Sequence, residues 1–250
     1  MKRNILIFLA AVVLAAIYFL IMNNKQTSTN DTALVPQVVP IEHASFVLNW
    51  NGKVIYADPV GADKFQGQDA PDLIILTDIH DDHFDPTALK ALATDKTVIV
   101  MPQVAALKMP AELMPKVKIF TNGDTEEILG FKIEAIPMYN LPESPDAFHT
   151  KGRGNGYVLE SRGERLYISG DTSGIPEMRA LKDIDIAFVA MNLPYTMGVE
   201  EAADAVLEFA PKKVYPYHYR TPTGFSDVAK FKELVEAGGK NIEVVQLNWY

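Results

Sequence analysis

Residues 73–86, LIILTDIHDDHFDP, carry an apolar run straight into a dense polar cluster. A strand that gives out into such a cluster holds side chains at the edge of a rigid sheet, where their geometry can be fixed. Asp78, His80, Asp82 and His83 stand in the spacing D-x-H-x-D-H. In extended backbone 78, 80 and 82 project to one side, and His83 turns with the loop that follows. The chain contains no Cys, so any metal must be held by imidazole nitrogens and carboxylate oxygens. A single acid or His in such a loop reads as a solvated turn or cap residue. Four together, with further donors downstream, reverse that reading.

Two more of the chain's five His lie at strand ends: His149 in AFHTKGRGNGY, ahead of a hairpin, and His218 in VYPYHYR. Asp171 follows a strand in YISGDTSG. The seven side chains would therefore come from successive loops on one edge of the sheets, an arrangement that can close a dinuclear site. A divalent ion lowers the pKa of its water from about 15.7 to near 7, and a pair about 3.5–4 Å apart can hold the hydroxide while stabilising a developing oxyanion. Hydrolysis by a metal-bound hydroxide needs no Ser or Cys nucleophile. Asp82 and Asp171 are the carboxylates expected to orient it.

These loops need strands to hold them. Two hairpins are expected, 45–58 (SFVLNWNGKVIYAD) turning at Asn51-Gly52 and 156–169 (GYVLESRGERLYIS) turning at Arg162-Gly163. Further strands are expected at 73–77, 98–101, 117–120, 131–138, 185–190, 213–217 and 242–247. Helices are expected at 86–92, 103–107, 175–181, 199–209 and 226–237, with Pro86 and Pro176 in first turns and Ser226-Asp227 as a start signal. Early hairpins followed by strands alternating with helices describe sheets covered by helices in one α/β domain.

Composition agrees: 250 residues, 48% hydrophobic and 22% charged, suit one globular domain, expected at 37–250, with an N-terminal appendage. The net charge of −9 and the lack of basic clusters exclude a nucleic-acid footprint. The missing Cys excludes disulfides and a thiol nucleophile. Residues 5–22 are an unbroken apolar run of 18 after Lys2 and Arg3, long enough to cross the hydrocarbon layer. A cleaved secretory signal has a shorter run of about 7–15 residues and a small-x-small site, and neither is clear. The expectation is a membrane anchor at 1–24, a polar linker at 25–36, and a catalytic domain outside the cytoplasm, on the periplasmic side in a Gram-negative host. Secretion after signal cleavage is the alternative. Expected partners are the membrane and a small-molecule or lipid substrate.

The order and spacing of these motifs resemble the metallo-β-lactamase superfamily, and within it the lactonase-like and phospholipase-D-like hydrolases. The resemblance covers roughly residues 38–220 and is carried by IEHASF at 41–46, YADP at 56–59, the segment 77–86, His149, SGDT at 169–172 and His218. It implies a four-layer αββα sandwich with two metal ions, usually zinc, at the shared sheet edge. The first ion would take Asp78, His80 and His149, and the second Asp82, His83 and His218, with Asp171 bridging. The family motif is H-x-H-x-D-H, and this chain departs from it at Asp78. A carboxylate there hardens the first site and makes manganese or iron more competitive with zinc, or it weakens that site and leaves one firmly held ion. The implied activity is hydrolysis of a phosphodiester, or of a lactone or other ester. The competing readings are an iron-type oxidoreductase of the same fold and a membrane-tethered metal-binding sensor without turnover.

Weaker candidates surround this set. His43 follows no metal spacing and reads either as a structural residue or as a support for the site. Asp58, ahead of Pro59, is expected to support it through hydrogen bonds. Lys151 and Arg153 flank glycines and could present cations to an anionic substrate, or could be solvated bases in a turn. Tyr195 could line the pocket mouth or simply pack.

Overall fold

The computed structural model describes residues 35–250. Strands β1 (Gln37–Glu42), β2 (Ser45–Trp50) and β3 (Lys53–Ala57) form an antiparallel meander. Asn51 and Gly52, at φ 52° and 73°, make the turn between β2 and β3, the left-handed pair that a two-residue hairpin requires. Strands β4 (Leu73–Ile75), β5 (Val98–Pro102) and β6 (Val117–Phe120) then add in parallel, completing a six-stranded sheet.

The second sheet has seven strands. β7 (Thr125–Ile128), β8 (Phe131–Met138), β9 (Gly154–Ser161) and β10 (Glu164–Ile168) run antiparallel, and β11 (Ile186–Ala190) and β12 (Lys213–Tyr217) continue in parallel. A short hairpin, β13 (Arg220–Thr221) with β14 (Gly224–Phe225), precedes the last strand, β15 (Glu243–Val244), which pairs with β12.

The inner faces of the two sheets meet in an aromatic core of Phe46, Phe188, Tyr217 and Trp249, with Phe46 stacked on Phe188 at 4.3 Å. Each fully buried Phe of this kind contributes roughly 1.5–3 kcal/mol. Helices Pro86–Leu92 and Gln103–Ala106 cover the outer face of the first sheet through Leu89 and Ala105. Helices Pro176–Arg179, Val199–Phe209 and Val228–Ala237 cover the second through Met178, Val206 and Phe231. The result is a mixed α/β sandwich. At one edge the sheets are tied together, Asn155 N donating to Thr77 O at 3.0 Å and His218 N to His43 O at 3.2 Å.

Several expectations are corrected. Residues 78–82 are not an extended run with alternate side chains aligned: His83 N and Phe84 N both donate to His80 O at 2.9 Å, so the chain turns as soon as β4 ends. The segment 175–181 keeps only the helix Pro176–Arg179, and 242–247 only the two-residue β15. β7 was not expected. The membrane-spanning helix and the extracytoplasmic placement of the catalytic domain are also corrected, since among the described residues no helix is long and apolar enough to cross a membrane. The apolar run 5–22 on which that expectation rested lies outside the described residues.

Candidate metal centre

The site grows from the end of β3. Asp58 is fully buried and accepts hydrogen bonds from Thr77 N at 2.7 Å, Thr77 Oγ1 at 2.6 Å and His83 Nδ1 at 2.8 Å. Burial pushes its carboxyl above the usual range, although His83 and Thr77 pull the other way. Burial also works against a charged His83, but the carboxylates of Asp171 and Asp58 beside it raise its pKa well above the ordinary value. With the proton fixed on Nδ1 by Asp58, the Nε2 lone pair of His83 faces outward into the site, the arrangement in which a carboxylate orients a ligating imidazole.

His218 follows β12. Its Nδ1 lies 2.9 Å from the side-chain amide of Asn192, whose other end meets Thr196 Oγ1. The amide nitrogen faces Nδ1 and the amide oxygen accepts from Thr196 Oγ1, so Asn192 holds the ring with Nε2 turned toward the other donors. The two Nε2 atoms of His83 and His218 stand 3.1 Å apart, close enough to be bridged by a proton or to bind one ion together. Asp171 oxygens lie 3.4 Å from His83 Nε2 and 3.3 Å from His218 Nε2. Asp82 oxygens lie 3.8 and 3.4 Å from the same atoms. Ligands bound to a tetrahedral ion at 2.0–2.2 Å are separated from one another by roughly 3.3–3.6 Å. The donor set of Asp82, His83, Asp171 and His218 therefore fits a single divalent ion in both chemistry and spacing.

Asp82 is partly open to solvent and is held by His43, whose Nε2 lies 3.2 Å away while its Nδ1 meets Tyr250 Oη at 2.7 Å. Against the effect of burial, hydrogen bonds from His218 and His43 keep the Asp82 carboxyl far below the usual range. Asp171 is likewise well below it: burial opposes its charge, but His218 and His83 prevail.

A second cluster holds Asp78, His80 and His149. His149 is buried, and its Nδ1 lies 3.2 Å from Asn140 Oδ1 and 3.1 Å from Tyr195 O. The proton is thereby fixed on Nδ1, and Nε2, which has no hydrogen-bond partner, points toward Asp171 Oδ2 at 3.3 Å and Asp78 Oδ2 at 3.6 Å. His80 Nδ1 is 3.0 Å from Asp78 Oδ2. Arg153 enters this cluster: its Nη2 lies 2.5 Å from Asp78 Oδ2 and 3.2 and 3.1 Å from the two ring nitrogens of His80.

All seven donors expected from the sequence thus meet at one sheet edge, and His43, Asp58 and Arg153 touch them. Lys151 does not. Its Nζ is bound to Glu177 at 2.9 Å and Tyr139 Oη at 3.2 Å. Tyr195 contributes its carbonyl, and its ring packs edge-on against Phe148 at 5.0 Å. Asn140, Asn192 and Tyr250 escaped sequence reasoning. The two asparagines follow close on β8 and β11, the same strand-end signal that marked the metal donors, whereas nothing in the sequence marks Tyr250. A cavity of about 410 Å³ has Asn140, which bonds His149, and Thr196 in its wall and Leu141, Phe148 and Leu193 at its rim. These three apolar side chains are half exposed.

Residues 37–218 match the family model described as the β-lactamase superfamily domain. A metal-dependent hydrolase of Thermococcus onnurineus is 32% identical over 216 residues, which span 82% of this chain and 93% of that one. The solved structure of a protein named as a metal-dependent hydrolase from Parabacteroides distasonis is 38% identical with a TM-score of 0.75, covering 84% of this chain and 92% of its own. A metallo hydrolase of Ignicoccus hospitalis, at 21% identity and a TM-score of 0.71, covers 85% of this chain and 95% of its own and shares the fold.

Proposed function

The chain belongs to the β-lactamase superfamily as one of its metal-dependent hydrolases, and from that premise we propose that it hydrolyses a neutral ester or lactone carrying an apolar group. The observation that carries the catalytic part is the tetrahedral spacing of Asp82, His83, Asp171 and His218, with both imidazole Nε2 atoms turned into the set. An ion held there supplies a Lewis acid and a water that ionises near neutral pH. Asp58 fixes the tautomer that makes His83 Nε2 a ligand, and Asn192 holds the His218 ring in place. Asp82 and Asp171 are held ionised and far below neutrality, so they are poor bases. Their work is to accept hydrogen bonds from the attacking water and aim it, and His43 keeps Asp82 in position for this.

The cavity that reaches the centre through Asn140 sets the substrate side. Its rim is Leu141, Phe148 and Leu193, and Glu201 and Asp146 are its charged lining. The basic side chains nearest the site are engaged with carboxylates: Arg153 with Asp78, Lys151 with Glu177, and Lys64 and Arg220 with Glu42. A phosphodiester would meet carboxylates and paired cations, whereas a neutral acyl group would meet apolar surface. The test is turnover of aryl esters and lactones of graded acyl length beside an aryl phosphodiester, by the protein loaded in turn with zinc, manganese or iron(II). The expected result is kcat/KM rising with acyl length and exceeding that for the phosphodiester. Preference for the phosphodiester would refute the substrate assignment and leave the metal centre standing.

A further inference from the structure

Arg153 is the side chain that the ester-hydrolase reading leaves over. Its guanidinium is mostly buried, its Nη2 sits 2.5 Å from Asp78 Oδ2, and the same nitrogen lies 3.1 Å from His80 Nε2. Asp78 and His80 are two of the three donors of the first cluster. Asp78 Oδ2 is also the oxygen that faces His80 and His149, and a metal ion held by all three would approach it to within about 2.0–2.2 Å. An ion and this nitrogen cannot share the position. We propose that the Arg153 guanidinium occupies the first cation position permanently, so that the protein works with one metal ion, at Asp82, His83, Asp171 and His218, and one fixed organic cation beside it. The proposal rests on the reading of those four residues as a metal site.

Three observations support a built position rather than a chance contact. The backbone at Arg153 is pinned, because Asn155 N donates to Thr77 O, one residue before Asp78. Gly154 permits that approach: a Cβ there would lie 2.9 Å from Thr77 O and 2.2 Å from Met138 Cε. Finally, Asp78 is fully buried. A carboxylate in that position needs a permanent cation, since a buried charge without a partner is strongly disfavoured. Planar guanidinium is the side chain best suited to pairing with a carboxylate out of water.

If Arg153 excludes an ion, its removal must admit one. Removing the guanidinium frees Asp78 Oδ2, and His149 Nε2 already has no hydrogen-bond partner, so both stand available to an ion. The experiment is metal content by elemental analysis after saturation with zinc and removal of loosely held ion, for the wild type, Arg153→Ala and the double variant Arg153→Ala/Asp78→Ala. The expected counts per chain are one, two and one. As an independent measurement, cobalt(II) titration of the unaltered protein, followed by its visible absorption, should break at one equivalent. Two ions in the wild type, or a cobalt break at two, would overturn the proposal while leaving the metal site intact. A single ion in folded Arg153→Ala would also overturn it, because the guanidinium would then not be what excludes the second. No ion in any of the proteins would instead remove the metal-site reading beneath it.

Discussion

Substituting Asp58 by Asn changes one atom type in the most enclosed hydrogen-bond network of the molecule, and its effect can be worked from the geometry. One carboxylate oxygen accepts from Thr77 N, and the other from Thr77 Oγ1 and His83 Nδ1. An amide keeps the volume but replaces one acceptor with a donor. If the amide nitrogen faces Thr77 N, two donors meet in a dry site, at a cost of about 1–3 kcal/mol for the unsatisfied group. If it faces His83, it donates to Nδ1 and forces the proton onto Nε2, which removes that nitrogen as a ligand. Loss of an outer carboxylate typically weakens metal binding about 10–100-fold, or roughly 1.4–2.8 kcal/mol, so the two routes predict effects of similar size. Competition with a chromophoric chelator should show zinc affinity reduced by that factor in Asp58→Asn, with the loss of melting temperature larger in the metal-loaded protein than in the metal-free one. Affinity within twofold of the wild type would refute the argument that Asp58 sets the His83 tautomer. Equal destabilisation with and without metal would reduce Asp58 to a purely structural residue.

His83→Ala and Asp171→Ala each remove a donor from the tetrahedral set, and metal content and turnover should fall together; an activity retained without metal would contradict the assignment. Phe148→Ala shortens the apolar rim and should raise KM for long-chain esters several-fold with little change for acetate esters, a split that steady-state kinetics across acyl lengths would test. In the metal-free domain, Asp78, Asp82 and Asp171 have depressed pKa values, so their stabilisation is complete above the unfolded value of about 3.9 and is lost on acidification below it. Asp58 is raised and acts in the opposite sense, one group against three. His83 is raised, so its contribution is complete below about pH 6.5 and is lost as pH climbs through its folded value. Urea midpoints of the metal-free domain should therefore be highest between roughly pH 4 and 6.5, and a midpoint still rising from pH 6.5 to 9 would contradict these directions.

The chemistry-bearing loops were readable because each follows a run of apolar residues: LIIL before Asp78, YIS before Gly170-Asp171, VYPY before His218. Buried strands in this fold are covered on both faces, so they show as unbroken apolar segments whose polar ends stand out. β7 has no such signal. Three of its four residues are exposed, so its Glu126 and Glu127 look like loop. The turn at His80 was hidden for a different reason. It depends on a bifurcated acceptor at His80 O, and the period-two argument assumes extended backbone that β4 leaves at Ile75. Arg153 was visible as a base among glycines, but its destination was not, because it is fixed by a backbone bond between two sheets. Tyr250 and His43 meet across 207 residues of sequence, a contact that only the closed sandwich creates.

Backbone conformation at the site points to what the metal does for the fold. His43, Asp58 and His218 have φ of 57°, 41° and 48°, and they directly follow β1, β3 and β12. Left-handed backbone at such residues costs of order 1–3 kcal/mol each, a substantial part of the roughly 5–15 kcal/mol that keeps a domain folded. Protein contacts alone offset part of it: His218 N bonds His43 O, and Asp58 N bonds Ile75 O. The remaining tension is electrostatic, with the carboxylates of Asp82 and Asp171 close enough to repel. A cation held by the four donors relieves that repulsion. Ligand that binds only the folded state at a thousandfold above its Kd adds about 4.1 kcal/mol, enough to balance the strain of two or three such residues. The strained strand ends and the ion are thus two halves of one arrangement: the sheet edge holds donors closer together than they would choose, and the ion is what makes that closeness favourable.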